Sequence, residues 1–401
     1  MRKQWSFFGL GLNVFATGLV SMFMDISSEM IYPLLPLFLT DVLGSTKLVV
    51  GIIEGIAEST ASIIKVFSGY LSDRFGRKKL LMGIGYGIST LSRPVIAGAL
   101  SPLQVLAART VDRFGKGIRT APRDAIIAES TVKDGLGKAF GFHRAMDTVG
   151  AVIGPSVAFA ILVVFPGNLR LVFLLSTIPG IIAVFLIVLL VREKRRKEDA
   201  DAPRPSLKIS SFDGRFRLYI VVVAIFSIGN FADAFLILRA KSLGFSNELI
   251  TAVYLLYNVI YAASSIPLGI IADKVGLKKI VAVGLTLYSI IFAGFALSTN
   301  ALHIWVLFSA YGVYKGLTEG NLRAYVASIA PAEKKATAFG VYHAVAGAML
   351  LPASVIAGLL WDISGPGLAF AYGSVMSIIA AIVFICADRR NKGASVSVMP
   401  H

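Results

Sequence analysis

Cysteine is all but absent: Cys386 is alone among 401 residues. One thiol forms no disulfide within the chain and excludes a metal site built on thiolates. Charge is scarce as well, at 15% of residues. Soluble domains carry about 25%, so the surface a water-facing domain needs is missing. Histidines number four. His143, His303 and His343 stand far apart in the sequence, with no ligand spacing, so no metal site is expected. Also missing are a phosphate-binding loop, a nucleophile motif and a nucleotide domain, which excludes a primary pump and argues against an enzyme. Nor are there the short alternating segments of a membrane β-barrel. No cofactor is implied.

What is there is apolar: 56% of residues are hydrophobic. About twelve apolar segments fall near 8–39, 48–71, 80–100, 103–128, 139–164, 168–191, 216–238, 248–272, 280–298, 303–328, 339–362 and 367–387. Each is long enough to cross a ~30 Å hydrocarbon layer as a helix. The first follows Met1-Arg2-Lys3 but holds Asp25 and Glu29 and lacks a small-residue cleavage site, so it reads as a retained helix. The net charge of +16 is spread over alternate loops, at 74–79, 133–138, 192–197, 274–279, 334–335 and 389–392. That is the positive-inside pattern rather than a nucleic-acid surface. It predicts an integral membrane protein, in a bacterial inner membrane, with both termini cytoplasmic. The basic loops would meet anionic lipid headgroups. The stretch VREKRRKEDADAPRPSLKISSFDGRFR (191–217) is too charged to enter a bilayer. The expected organisation is a six-helix bundle over 1–191, a cytoplasmic linker over 192–215 and a second bundle over 216–401.

The two halves repeat. GYLSDRFGRKK (69–79) returns as GIIADKVGLKK (269–279), at an offset of 200. KGIRTAPRDAIIA (116–128) returns as KGLTEGNLRAYVA (315–327), and AFGFHRA (139–145) as AFGVYHA (338–344), both at 199. A duplicated six-helix unit is the plan of a two-bundle transporter with its site near the midplane. The fold class expected is therefore all-α and polytopic, with twelve transmembrane helices in two pseudo-symmetric bundles.

The loop GYLSDRFGRKK closely resembles the signature loop of the major facilitator superfamily, and its copy after the eighth segment resembles it more weakly. Arg109 falls where that superfamily usually has an arginine in its fourth helix. GAVIGP (150–155) looks like the glycine–proline signature of its proton-driven exporters. The fourth segment departs from those exporters by carrying Asp112, Arg113, Lys116 and Arg119. The resemblance implies an alternating-access transporter. It also implies that Asp73 pairs with a cation of the fourth helix near the start of the eleventh, latching the cytoplasmic side. Gly69, Arg74, Gly76, Arg77, Arg119, Arg123 and the repeat copy Asp273 belong to the same expected latch.

Chemistry concentrates in RTVDRFGKGIRTAPRD (109–124). At about 100° per residue its seven charges lie within an arc of roughly 140°, leaving Val111, Phe114 and Ile118 opposite. Lipid exposure of such a set is implausible at ~2.5–3.5 kcal/mol per central charge. Two readings stand: a structural ion-pair network that includes Arg109–Asp112 and Arg123–Asp124, or a cavity where Arg109, Arg113 and Lys116 meet acids or an anionic substrate. Candidate cavity residues beside them are Asp112, Glu54, Glu58, Asp147 and Asp233. Asp25 and Glu29, four apart on one helix face, and Glu58 are the expected proton carriers. Gly150, Gly154 and Pro155 mark a close approach or bend.

The function expected is proton-coupled export of a small organic compound by a secondary transporter, driven by the proton gradient and acting as a monomer. One alternative moves an anionic metabolite or metal chelate along the cationic helix face. Another is a non-transporting sensor or scaffold of the same fold, which has no evident use for charge in both halves.

Overall fold

The computed structural model of the chain describes the backbone of residues 6–7, 10–75, 77–131, 135–193, 212–331 and 334–396, and side chains outside 6–10, 69–76, 137, 335–336 and 387–396. Apart from a two-residue strand pair, Ser6–Phe7 with Leu10–Gly11, the described elements are helical. They form twelve spans: α1 Leu12–Val42, α2 Lys47–Phe75, α3 Lys78–Ala97, α4 Pro102–Glu129, α5 Leu136–Val164, α6 Leu169–Leu190, α7 Gly214–Ser242, α8 Asn247–Val275, α9 Leu277–Leu297, α10 Ala301–Ile329, α11 Lys335–Ser364 and α12 Pro366–Val396. Nine are apolar and long enough to cross a membrane by composition. The other three, α2, α4 and α10, each carry several interior charges. Their polar groups point into the protein and large apolar side chains such as Leu91, Ile266 and Leu297 stay exposed at the periphery. That is the arrangement a bilayer requires. The chain is an integral membrane protein.

Helix starts are written locally. Ser101, Asn168, Asp213, Ser246 and Asn300 each cap a helix by accepting from the backbone N–H three residues on. Such a cap satisfies a donor that the first turn leaves unpaired. Acids from distant elements do the same work: Glu193 accepts from the Lys78 and Lys79 amides at the start of α3, and Asp362 from those of Lys47 and Leu48 at the start of α2.

Two spans are broken at equivalent positions of the repeat. In α1 the helix yields to a turn at Tyr32, Pro33 and Leu34, and in α7 it opens over 230–233. Freed backbone groups find partners inside the bundle. The Tyr372 and Tyr288 hydroxyls donate to the carbonyls of Ile228 and Gly229, and the Ala232 amide donates to Ser354 Oγ. Irregular backbone survives at membrane depth only with such satisfaction.

The two bundles meet through α2 with α11, α5 with α8, and α1 with α7. On the face opposite the basic loops they are joined. Lys241 Nζ lies 3.1 Å from Asp41 Oδ2, a pair formed by positions 200 residues apart. A Cβ on Gly51 would lie 2.2 Å from the Ser354 carbonyl oxygen, and one on Gly55 2.9 Å from Leu351 Cα. Only glycine lets α2 and α11 close this side. Gly51→Val is therefore expected to hold the two bundles apart here. Cysteines placed at the ends of α1 and α7 should become at least tenfold more reactive to an impermeant maleimide, a shift of ~1.4 kcal/mol between closed and open molecules. Unchanged labelling would show that this contact does not set the closed state.

Candidate functional site

Along the inner face of α2 stand Glu54, Glu58, Ala61 and Lys65, and along that of α4 Arg109, Arg113, Lys116 and Thr120. Both series step by four, three and four, the spacing of one helix face. The helices pack in register. Arg109 Nε and Nη2 each donate to a Glu54 carboxylate oxygen at 3.0 Å, a two-pronged pair. One turn on, Arg113 Nε lies 2.9 Å from Glu58 Oε1. Close approach depends on Gly117, where a Cβ would meet Ile64 Cβ at 2.6 Å, and on Gly115, which lies against the Gly85 carbonyl of α3.

A third pair completes the cluster. Arg93 of α3 reaches Asp112 Oδ1 at 3.3 Å and donates to Ser28 Oγ at 3.0 Å. Asp112 Oδ2 also accepts from Arg109 at 3.3 Å. Three arginines thus stand against three carboxylates, Arg93 with Asp112, Arg109 with Glu54 and Arg113 with Glu58. Arginine suits such buried pairing, because its planar fork satisfies two acceptors at once.

This corrects the placement expected from sequence. Arg109, Arg113, Asp112 and Glu54 do not line an open space; Arg109 is 2% exposed and its partner Glu54 likewise. The acids missing from α4 come from α2, so the network reading holds for these four. Arg93 escaped notice because it is a single charge in an otherwise uncharged segment, TLSRPV. Its position inside a span was the available signal. The pairs Arg109–Asp112 and Arg123–Asp124 are both present, at 3.3 Å and 2.9 Å.

Toward the basic-loop face the interior opens. Glu58 is 25% exposed, Lys315 also 25%, and Glu319 42%. Lys116 is exposed too. The central space is therefore shut on one side of the membrane and accessible from the other.

Asp25 and Glu29 share one face of α1, and the glycines of α5 pack against them. A Cβ on Gly150 would lie 2.9 Å from Asp25 Cβ, and one on Gly154 2.8 Å from Glu29 Cβ. GAVIGP thus brings α5 onto the acid-bearing face of α1, while Pro155 sits inside a helix that continues through it. Glu29 Oε2 accepts from the Tyr254 hydroxyl of the other half at 2.8 Å. Asp25, half-buried, makes no hydrogen bond or ion pair with a described residue. Asp147 faces it across the same contact and lies 3.5 Å from His143 Nδ1.

The second half answers with tyrosines, which the sequence reading missed. Tyr254, Tyr257 and Tyr261 form one stripe on α8, and Tyr257 stacks on both Tyr261 and Tyr311. Their spacing of three and four was the visible signal. Tyr254 and Asn258 stand 200 residues after Glu54 and Glu58, so the repeat has exchanged carboxylates for neutral hydrogen-bonding groups. Asp233, in the break of α7, accepts from Tyr311 at 2.6 Å and pairs with Lys315 at 3.3 Å. Near the open mouth, Arg144 of α5 contacts Glu319 and Tyr261 of the other half.

The side chains of Tyr70 to Phe75, and Gly69 and Gly76, lie outside the described residues, so the Asp73 and Arg74 part of the expected latch does too. Arg119, one expected partner, donates to Ser89 Oγ at 2.7 Å and lies over the Tyr86 ring. Arg123 holds Asp124 and Ser21. Arg77 and Asp273 are exposed. Lys78 instead pairs with Glu129 at this face.

Among proteins of known sequence, an MFS-type transporter of Methanocaldococcus jannaschii is 36% identical over 389 residues, covering 94% of this chain and 95% of its own. A protein of Mycobacterium tuberculosis is 28% identical over 80% of each chain. The multi-drug resistance efflux pump PmrA of Streptococcus pneumoniae is 29% identical over 154 residues, 37% of each chain. Among solved structures, a POT family transporter superposes with a TM-score of 0.81 at 11% identity, covering 96% of this chain and 98% of that one. The nucleoside transporter NupG gives 0.76 at 13%, covering 93% and 98%. The Major Facilitator Superfamily model matches residues 17–239 and 218–398, and the chain belongs to that superfamily as a membrane transporter.

Proposed function

We propose that the protein is a proton-coupled exporter of a small organic compound. The observation that carries this reading is Asp25, a half-buried acid within the membrane that pairs with no described residue, seated with Glu29 on the α5 glycines. Glu54, Glu58 and Asp112 are each held by an arginine and are poorly placed to exchange protons. A carboxylate couples protons to transport only if its environment differs between the two access states. The Glu29–Tyr254 bond across the halves, one turn from Asp25, supplies such a difference. The partial likeness to an efflux pump supports the outward direction.

On this reading the basic-loop face is cytoplasmic, by the excess of Lys and Arg in its loops. The two bundles, joined through the segment at 192–215, rock about the midplane, and the form described here admits substrate from the cytoplasm. The Asp73 loop then closes that face in the outward-open form. The proton gradient of an inner membrane is the driving force, and one chain suffices.

The test is reconstitution in liposomes with the basic-loop face outside, so that export from the cytoplasmic side appears as uptake. An acidic lumen should drive accumulation of a transported probe, and collapsing the gradient with a protonophore should stop it. Equal net uptake with and without the gradient would overturn proton coupling.

A further inference from the structure

We infer that the mouth of the central space holds a binding site for an organic anion, with Lys116 and Lys65 as its charged floor. The site follows from the register of α2 on α4. The first two rungs, Glu54 with Arg109 and Glu58 with Arg113, are neutral. At the third rung the cation continues and the acid does not: Lys116 stands opposite Ala61. At the fourth, Lys65 itself takes the place of the acid, opposite Thr120. The Gly117 contact with Ile64 and the Ala61 carbonyl fixes this register and brings the two lysines to adjacent helices.

Neither lysine makes an ion pair with a described residue. Around Lys65 stand Arg323, Arg123 and Lys116 and the acid Asp124, which Arg123 already holds at 2.9 Å. Those around Lys116 are Arg113, Arg119, Glu58, Asp25 and Glu29. Glu58 belongs to Arg113 and Glu29 accepts from Tyr254, which leaves Asp25 to be shared with Arg119. Across the mouth, Arg144 and Arg323 share one carboxylate, Glu319. Lys65, Lys116, Arg119, Arg123, Arg144 and Arg323 stand against Asp25, Glu29, Asp124, Asp147 and Glu319, so this end keeps one positive charge in excess of its own acids. Cations inside a span are costly unless something neutralises them. The arginine rungs are neutralised by carboxylates of α2; the lysine rungs are not.

The opposite wall fixes the rest of the ligand. Tyr261, part-exposed, stands beside the mouth with its ring nearly parallel to that of the buried Tyr257, 11° apart. A carboxylate or phosphate on the lysines and a planar apolar body against Tyr261 would satisfy both walls. Lipid headgroups carry the same phosphate, so the source must be separated by experiment. The inference deepens the exporter reading by naming its substrate class, and it does not depend on proton coupling.

The protein is reconstituted in phosphatidylcholine nanodiscs and titrated calorimetrically with phenyl phosphate, benzoate and benzylamine. The two anions should bind and benzylamine should not. Lys65→Gln and Lys116→Gln should each weaken phenyl phosphate binding about tenfold, and the double variant should abolish it. A double Lys→Arg variant should retain binding, which separates loss of charge from loss of fold. In liposomes without any pH gradient, preloaded phenyl phosphate or benzoate should drive counterflow of its labelled form. Failure of the anions to bind, or binding unaffected in the double Gln variant, would overturn the site while leaving proton-coupled export standing. If phosphatidylglycerol in the nanodisc displaces phenyl phosphate and no counterflow occurs, the site holds lipid and the substrate assignment falls.

Discussion

Arg109→Ala is expected to cost ~3–5 kcal/mol of folding stability, the range for breaking one partner out of a buried ion pair. The loss comes chiefly from Glu54, left charged, dry and without its two hydrogen bonds at 3.0 Å. Removing both partners, as Arg109→Met with Glu54→Met, should be far milder, because Arg93–Asp112 and Arg113–Glu58 remain neutral pairs. Unfolding of purified protein in mixed micelles, followed by far-ultraviolet circular dichroism, gives the comparison. A double variant as unstable as the single one would mean that Arg109 acts through something other than Glu54. The distinction bears on function, since an arginine serving as a substrate receptor would be dispensable for folding.

Neutralising Asp25 is expected to have the largest effect on transport. Each coupled proton contributes ~1.4 kcal/mol per pH unit, about tenfold in substrate concentration. Asp25→Asn should therefore lose an accumulation of about tenfold per pH unit while still exchanging labelled for unlabelled substrate. Glu29→Gln keeps a hydrogen-bonding partner for Tyr254 and should reduce accumulation less. Glu58→Gln should appear mainly as lost stability, because it strands Arg113. Should Asp25→Asn concentrate substrate as well as the parent does, the proton is carried elsewhere.

The spans, their number and the repeat were legible in the sequence, because a bilayer imposes length and polarity on each helix one at a time. Seven charges on one face of the fourth span could be read the same way, from helical rotation alone. So could Asp25 and Glu29 as neighbours.

Rotation says which residues share a face but not what that face meets. Only the tertiary structure decided that Glu54 and Glu58 stand in register with Arg109 and Arg113, turning Arg109, Arg113, Asp112 and Glu54 from expected cavity residues into a dry network. Register between helices far apart in sequence is set by glycines such as Gly115 and Gly117, whose role depends on the backbone or side chain opposite them. The same holds for the tyrosine wall, for the Asp41–Lys241 pair and for the seat of GAVIGP against α1. A glycine or a tyrosine in a span carries no label of its partner, and the partner lies in another helix. Lys116 shows both limits together. The sequence marked it as one cation among five, and the packing of α2 set it opposite Ala61 rather than an acid.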